Sequence, residues 1–132
     1  MSKKRYTVLV VDDSHDSLDL LEVFLYAQYT IVTALNGFEG FEKAREVSPD
    51  LIITDIMMPV MDGIAFYNKL KKETETKDIP VIAVTSFIKK SATKSLLNIG
   101  FVDVVAKPLD KKEILQTVKK AVKLSSVKVE QQ

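Results

Sequence analysis

The stretch PDLIITDIMMPVMDG, from Pro49 to Gly63, decides the fold of this 132-residue chain. It opens with the apolar run Leu51–Ile53, which is too short for a helix and is typical of a strand buried on both faces. The run ends at Asp55, and a carboxylate at the tip of a buried strand is poorly placed for packing and well placed for chemistry. Asp62 and Gly63 then mark a turn. Taken alone, Asp55 is most simply explained as a residue that ends a strand or caps a helix.

The composition is that of one globular domain, with 46% hydrophobic residues, 28% charged residues and a formal net charge of +1. This balance creates no field that favours nucleic acid or an anionic membrane as a partner. The sequence has no cysteine, which excludes disulfides, thiolate chemistry and Cys-ligated zinc. No apolar run approaches the length of a membrane span. We therefore expect a cytoplasmic protein with no membrane partner and no direct contact with nucleic acid.

Strands and helices alternate along the rest of the chain. Apolar, β-branched runs predict four further strands, at residues 6–11, 29–34, 79–85 and 101–106. Apolar residues at helical spacing predict five helices, which begin near Ser14, Gly37, Gly63, Ser91 and Asp110. This alternation predicts an α/β fold in which a parallel sheet is covered by helices on both faces.

Polar side chains follow four of the five predicted strands, and parallel strands bring their carboxyl ends to one edge of the sheet. They are Asp12 and Asp13, Asp55, Thr85 and Ser86, and Lys107. Ligands bind at this edge in open α/β sheets. The convergence therefore favours a functional role for Asp55 over a packing role.

Three carboxylates in one pocket repel each other and require positive charge. Lys107 supplies one unit, and an oxygen-only ligand set without His or Cys favours Mg²⁺ as the source of two more. A phosphoryl group is the ligand that best fits such a site, with Asp55 as the attacking carboxylate. Its oxygens would contact the metal, Lys107 and the hydroxyl of Thr85.

Four sequence pieces together resemble the receiver domain of two-component response regulators, the CheY-like family, over roughly residues 6–124. They are VLVVDD at 8–13, LIITDIMMPVMDG at 51–63, VIAVTS at 81–86 and VAKP at 105–108. Each piece is weak alone, but the combination is highly specific. The resemblance implies a flavodoxin-like (βα)5 fold, a doubly wound three-layer sandwich with strand order 2-1-3-4-5. It divides the chain into a receiver domain at 1–124 and a polar, frayed tail at 125–132.

The resemblance also implies the roles of the site residues. Asp55 would accept a phosphoryl group from the phosphohistidine of a histidine kinase or phosphotransfer protein, and Thr85 and Lys107 would hold its oxygens. The implied Mg²⁺ ligands are Asp12, directly or through a water, Asp13, Asp55 and the main-chain carbonyl of Met57. The peptide bond before Pro108 would be cis.

By the same resemblance the domain is a signalling switch and not an enzyme with an external substrate. Phosphorylation would alter the surface formed by the fourth helix, fifth strand and fifth helix, and so its affinity for an unknown downstream protein. We expect a monomer or weak dimer. One position departs from the family pattern: Val104 stands where an aromatic residue is common, three residues before Lys107. Since valine has no ring to reorient, we expect activation that is weaker or differently routed.

Two alternatives come from other functional classes. A degenerate receiver would act as a constitutive interaction module, but Asp13, Asp55, Thr85 and Lys107 are all present. A metal-dependent phosphatase with an aspartyl intermediate would carry a second acid two residues after its nucleophile, where this chain has Met57.

Other features carry simpler interpretations. His15, the single histidine, is expected to be a solvated residue of the first helical turn rather than a phosphorelay or metal-binding residue. The lysines between Lys111 and Lys123 predict a solvated face on the last helix, with a partner-docking surface as the alternative. The chain leaves no room for an output domain after Leu124, so we expect a stand-alone regulator or part of a longer chain.

Overall fold

The computed structural model describes residues 5–86 and 89–130, with side chains described as far as Leu124. Its strands are β1 Thr7–Val11, β2 Thr30–Ala34, β3 Leu51–Asp55, β4 Val81–Thr85 and β5 Asp103–Ala106. Its helices are α1 His15–Leu25, α2 Gly37–Val47, α3 Gly63–Lys72, α4 Lys90–Ile99 and α5 Lys111–Glu130. None of the described helices is both long and apolar enough to cross a bilayer.

The five strands form one parallel sheet in the order β2-β1-β3-β4-β5, which confirms the predicted fold class and strand order. The register of β1 against β3 places Asp12 beside Asp55. Asp55 pairs with Val84, so Thr85 lies one residue beyond it on β4. Lys107 directly follows β5. The sheet therefore brings the predicted site residues to one edge.

Two apolar clusters cover the two faces of the sheet. One packs α1 and α5 against Val8, Val10 and Ile53, and the other packs α2, α3 and α4 against Leu9 and Ile52. Every residue of β3 and β4 is buried, as the unbroken apolar runs predicted. Because side chains alternate between the two faces, β3 contributes to both clusters, and Asp55 lies at the end of this fully buried strand.

Side-chain caps fix the starts of four helices. Ser14, Asn36, Asp62 and Asp110 each accept a hydrogen bond from the backbone N–H three residues later. The caps at Ser14 and Asp110 were predicted, whereas Asp62 was predicted only as part of a turn. By contrast, α4 begins after Lys89 without a side-chain cap, and its one buried residue is Leu96. Among the five helices, α4 is therefore the most weakly anchored.

The strand predicted at residues 101–106 would place Phe101 on the opposite face of the sheet from Val104, and the structure corrects this expectation. Because β5 begins at Asp103, strand alternation does not reach back to Phe101. Phe101 is buried in the cluster beneath α3 and α4, with its ring centroid 4.4 Å from that of Tyr67. Val104 packs against the same cluster. Phe87, which also flanks this region in sequence, lies outside the described residues.

The last helix is longer than its apolar stripe predicted. Val122 is the last buried residue among the described side chains of α5, yet the helix continues to Glu130 through most of the segment expected to be a frayed tail. Neither an apolar stripe nor helix preference signals this continuation, because Ser125, Ser126, Val127 and Val129 are weak helix formers. The domain boundary at 124 stays a prediction.

Candidate functional site

Three carboxylates meet at the carboxyl edge of the sheet. One side-chain oxygen from each of Asp12, Asp13 and Asp55 lies within 4.8 Å of the other two. Asp12 and Asp55 are buried, with 2% and 6% of their surfaces exposed, whereas Asp13 is exposed. The cluster is thus an acidic pocket that opens to solvent at Asp13.

Local backbone geometry holds Asp12 in place. Its N–H donates to the carbonyl of Ala34 at 3.1 Å, which extends the β1–β2 pairing by one residue. The Ser14 N–H donates to Oδ1 of Asp12 at 2.9 Å, so the turn into α1 orients the carboxylate. Sequence reasoning identified Ser14 as a helix cap but did not foresee that its N–H would fix a site residue.

Lys107 reaches both buried carboxylates. Its Nζ lies 3.1 Å from Oδ2 of Asp12 and 3.5 Å from Oδ2 of Asp55. Its backbone N–H donates to the carbonyl of Thr85 at 3.0 Å, so β4 fixes the residue that carries the ammonium group. The bond from Lys107 to Pro108 is cis, which confirms that prediction. Three negative charges thus face one positive charge from the described residues.

The pKa of the Asp55 carboxyl is raised above its ordinary value, first by burial and then by the charge of Asp12. Lys107 and the backbone N–H of Met57, which donates to the carboxylate, lower this pKa without cancelling the rise. Burial lowers the pKa of Lys107, but its contacts with Asp12 and Asp55 outweigh that effect and raise the pKa overall. Lys107 therefore stays charged, while the acidic pocket remains short of positive charge.

The loop after β3 folds back over the strand end. The Gly63 N–H donates to the carbonyl of Ile56 at 2.9 Å. A β-carbon at Gly63 would lie 2.4 Å from the carbonyl oxygen of Asp55, so the close approach requires glycine. Sequence reasoning treated Gly63 as a turn residue and missed this contact, which pattern alone does not signal.

A tight turn shapes the tip of the same loop. The Met61 N–H donates to the carbonyl of Pro59 at 2.8 Å, and Val60 between them has φ of 72°. This is a γ-turn in the left-handed region, which is strained for a β-branched residue. The Val60 side chain is 88% exposed. The strain is held by anchors on both sides, Asp55 at the strand end and Gly63 at the start of α3.

Thr85 lies at the end of β4 with 2% of its surface exposed. It follows Val84, the pairing partner of Asp55, which puts it on the strand next to the proposed acceptor. Each predicted site residue therefore belongs to the carboxyl edge or to the loop above it. His15, in contrast, is an exposed residue of the first turn of α1 and is absent from the described metal-capable cluster.

The donor set fits a hard divalent cation. Asp12, Asp13 and Asp55 offer oxygen atoms alone, and Mg²⁺ prefers such ligands. Burial and then the charge of Asp12 raise the pKa of Asp55, and a bound cation would offset both by stabilising the ionised carboxylates.

Comparisons with known proteins agree with this geometry. The sequence model described as "Response regulator receiver domain" matches residues 8–119. The chain is 32% identical over 114 residues to the polar-differentiation response regulator DivK of Brucella anthropi, covering 86% of this chain and 93% of that protein. It is 37% identical over 120 residues to hybrid signal transduction histidine kinase D of Dictyostelium discoideum. That match covers 86% of this chain but spans 8% of the length of the kinase.

Solved structures give the same result. A response regulator from Desulfuromonas acetoxidans superposes with a TM-score of 0.84 at 31% identity, covering 90% of this chain and 98% of that one. Sequence, strand order and the acidic edge agree, and the chain belongs to the response regulator receiver domain family of two-component signalling.

Proposed function

We propose that this receiver is a phosphoacceptor switch in which Asp55 accepts a phosphoryl group from a phosphohistidine. The observation that carries the proposal is the acidic pocket at Asp12, Asp13 and Asp55, faced by the ammonium group of Lys107. Phosphoryl transfer depends mainly on in-line positioning and charge neutralisation, and these residues provide for both.

In the proposed step, an Asp55 carboxylate oxygen attacks the phosphorus atom and forms the acyl phosphate bond as the P–N bond to the donor histidine breaks. The bonding pair of the P–N bond returns to the imidazole nitrogen. Lys107 and the hydroxyl of Thr85 would hold phosphoryl oxygens. Because Asp55 is buried, water has limited access to it. The carbonyl of the acyl phosphate product would remain in the pocket.

The proposed metal is Mg²⁺, held by Asp13, Asp55 and the main-chain carbonyl of Met57, with Asp12 binding it directly or through a water. When bound, it would neutralise the charge that the carboxylates and phosphoryl oxygens bring together. The two positive charges of the ion and the one of Lys107 would together match the three negative charges of the carboxylates.

The donor partner we propose is a histidine kinase or a phosphotransfer protein. One similar protein is itself named a hybrid signal transduction histidine kinase, which supports this class of partner. The proposed output is a changed affinity of the α4–β5–α5 surface for a downstream protein. Exposed apolar side chains at Leu97, Ile99 and Val102 support a protein-binding role for it.

The test is incubation with Mg²⁺ and acetyl phosphate, followed by intact mass measurement. We expect one added phosphoryl group on the wild type, none on Asp55→Asn, and none when EDTA replaces Mg²⁺. Asp62→Asn is the matched control, because Asp62 is exposed in the same loop and asparagine is an equally good helix cap. An unmodified wild type would refute the proposal and favour a constitutive interaction module.

A second assay separates the switch from a phosphatase. We expect no turnover of an external phosphomonoester such as p-nitrophenyl phosphate, because Met57 stands where a proton-donating acid would be required. Sustained turnover that depends on Asp55 would contradict the assignment as a signalling domain.

A further inference from the structure

A cleft of about 890 Å³ opens at the end of the sheet opposite the acidic pocket. Its lining includes Tyr6 and Tyr29, which immediately precede β1 and β2 and therefore lie at the amino ends of those strands. A five-residue strand separates the cleft from the carboxyl edge by about 16 Å. We call it the amino-end cleft, and it shares no residue with the proposed phosphorylation site.

The amino-end cleft has an apolar floor and a basic rim. Tyr29 and Val122 have 7% and 5% of their surfaces exposed and form the floor together with the half-buried Tyr6. Arg5, Lys119 and Lys123 also line the cleft and are exposed, so they form its rim. The described lining contains three cations and no carboxylate.

Arg5 is held at the rim by uncharged acceptors. Its guanidinium donates to the carbonyls of Tyr26, Ala27 and Tyr29, where α1 ends and the chain turns into β2. The guanidinium satisfies these carbonyls near the end of α1, and they in turn orient the side chain without cancelling its charge. These acceptors are all backbone carbonyls, so Arg5 contributes an oriented positive charge to the part of the cleft that the structure describes.

Lys119 and Lys123 stand one helical turn apart on α5. Within the described part of the chain, neither is recorded within 4.0 Å of a carboxylate. Positions i and i+4 share one face of a helix, and two like charges there repel each other. An anion bound between the two ammonium groups would relieve this repulsion, so the electrostatic energy of the pair favours anion binding.

We propose that the amino-end cleft binds a nucleoside phosphate, with the phosphates at Lys119, Lys123 and Arg5 and the base and ribose against the apolar floor. The volume lies within the range of small-molecule sites, which combine an apolar lining with a few polar groups. A phosphate group alone would leave the apolar floor unused, and an apolar ligand alone would leave the three cations unused. A nucleotide satisfies both parts of the cleft.

The test uses ATP in the presence of EDTA, so that no metal–nucleotide complex reaches the acidic pocket. Titration is followed by amide chemical shifts on the whole protein. We expect saturable shifts at Tyr29, Val122 and Lys123, with weaker binding of adenosine and of tripolyphosphate. Asp55→Asn should bind ATP like the wild type, so failure of the phosphorylation proposal would not imply failure of this one.

The decisive variant is Lys119→Glu with Lys123→Glu, for which we expect the ATP dissociation constant to rise at least about tenfold. Lys120→Glu with Lys112→Glu is the matched control, since it makes the same change in net charge on the same helix at exposed residues outside the cleft. If both double variants weakened ATP binding equally, the effect would come from the net charge of the protein, and the proposal of a specific site would be overturned.

Three other outcomes would also overturn the proposal. They are the absence of saturable shifts at millimolar ATP, tripolyphosphate binding as tightly as ATP, and an acidic peptide binding more tightly than ATP. The second would leave a simple phosphate site, and the third would assign the cleft to an acidic protein segment.

Discussion

The Nζ atom of Lys107 lies 3.1 Å from Oδ2 of Asp12, closer than its 3.5 Å distance to Oδ2 of Asp55. The ammonium group therefore lies nearer to the residue beside the proposed acceptor than to the acceptor itself. A lysine shared between two carboxylates neutralises part of both, and its loss would leave two buried charges uncompensated.

Lys107→Met should lower the free energy of unfolding by about 2 kcal/mol in EDTA, less than for a fully buried pair because Lys107 retains contact with water. Urea unfolding measures this loss, and added Mg²⁺ should recover part of it by supplying positive charge. Lys120→Met is the control for removing a lysine at an exposed position. Equal losses for the two variants would show that the charges at Asp12 and Asp55 are not coupled to Lys107.

Asp55→Asn should stabilise the metal-free protein by about 1 kcal/mol at neutral pH. The folded-state pKa of Asp55 is raised, so the folded state binds more protons than the unfolded state, and stability falls as pH rises through that pKa. The amide removes this dependence. Urea unfolding in EDTA should show the gain at pH 7 and its disappearance at low pH, where the wild-type carboxyl is protonated. A constant difference across pH would contradict this account.

Gly63→Ala should be far more costly than Gly37→Ala. A β-carbon at Gly63 meets the backbone of Asp55 and Ile56, which cannot move without displacing the strand end. At Gly37 the nearest atoms belong to the flexible side chain of Met61. We expect a loss of about 3 kcal/mol for Gly63→Ala.

Thermal unfolding measures the loss of stability in each glycine variant. A Mg²⁺ titration tests whether the metal site weakens as well, and it can be followed by amide shifts or by tyrosine fluorescence, since the chain has no tryptophan. A similar loss for both glycine variants would show that the loop after β3 moves freely.

Tyr67→Phe should reduce the sensitivity of the fold to alkaline pH. Burial raises the pKa of Tyr67 above 10.0, so its contribution to stability is present below pH 10 and is lost as pH rises toward the folded-state pKa. Urea midpoints at pH 8 and pH 11 should differ less in this variant than in the wild type. Tyr26→Phe, at a residue 62% exposed, should behave like the wild type.

The phosphoryl mimic beryllium fluoride, added with Mg²⁺, should produce weak amide shifts at Val104 and along α5. Reversing a 99:1 preference for the inactive form requires about 5.5 kcal/mol of differential stabilisation. Val104 offers no ring with which to stabilise the other form. Val104→Tyr is the companion variant, and we expect larger shifts from it. Strong shifts across Val104 and α5 in the wild type would prove the expectation wrong.

The alternation of predicted strands and helices was sufficient to predict a parallel α/β sheet, whereas the strand order came from the resemblance to receiver domains. The strands β3 and β4 are buried on both faces, so their runs are unbroken, and the caps at Ser14 and Asp110 mark helix starts. Sequence also placed Asp55 and Lys107 at one edge, because parallel strands end together. The proximity of the three carboxylates and the contact of Lys107 with two of them agree with that placement.

Contacts between distant backbone segments were beyond prediction. Phe101 was assigned to a strand by its apolar neighbours, but β5 begins two residues later, and the ring of Phe101 packs at a tilt against that of Tyr67. The close approach of Gly63 to Asp55 depends on the path of a loop, which no periodic pattern encodes. The continuation of α5 to Glu130 is likewise signalled neither by an apolar stripe nor by strong helix formers.

The weak anchoring of α4 has a consequence for amide hydrogen exchange. Full burial of one leucine contributes roughly 2 kcal/mol, and Leu96 is the one buried side chain by which α4 holds to the sheet. Local opening of such an element exposes little apolar surface, so its amides should exchange with solvent sooner than those of β3 or β4. A helix that detaches so readily can be moved by a modest change in free energy at the strand ends, even where Val104 transmits little of it.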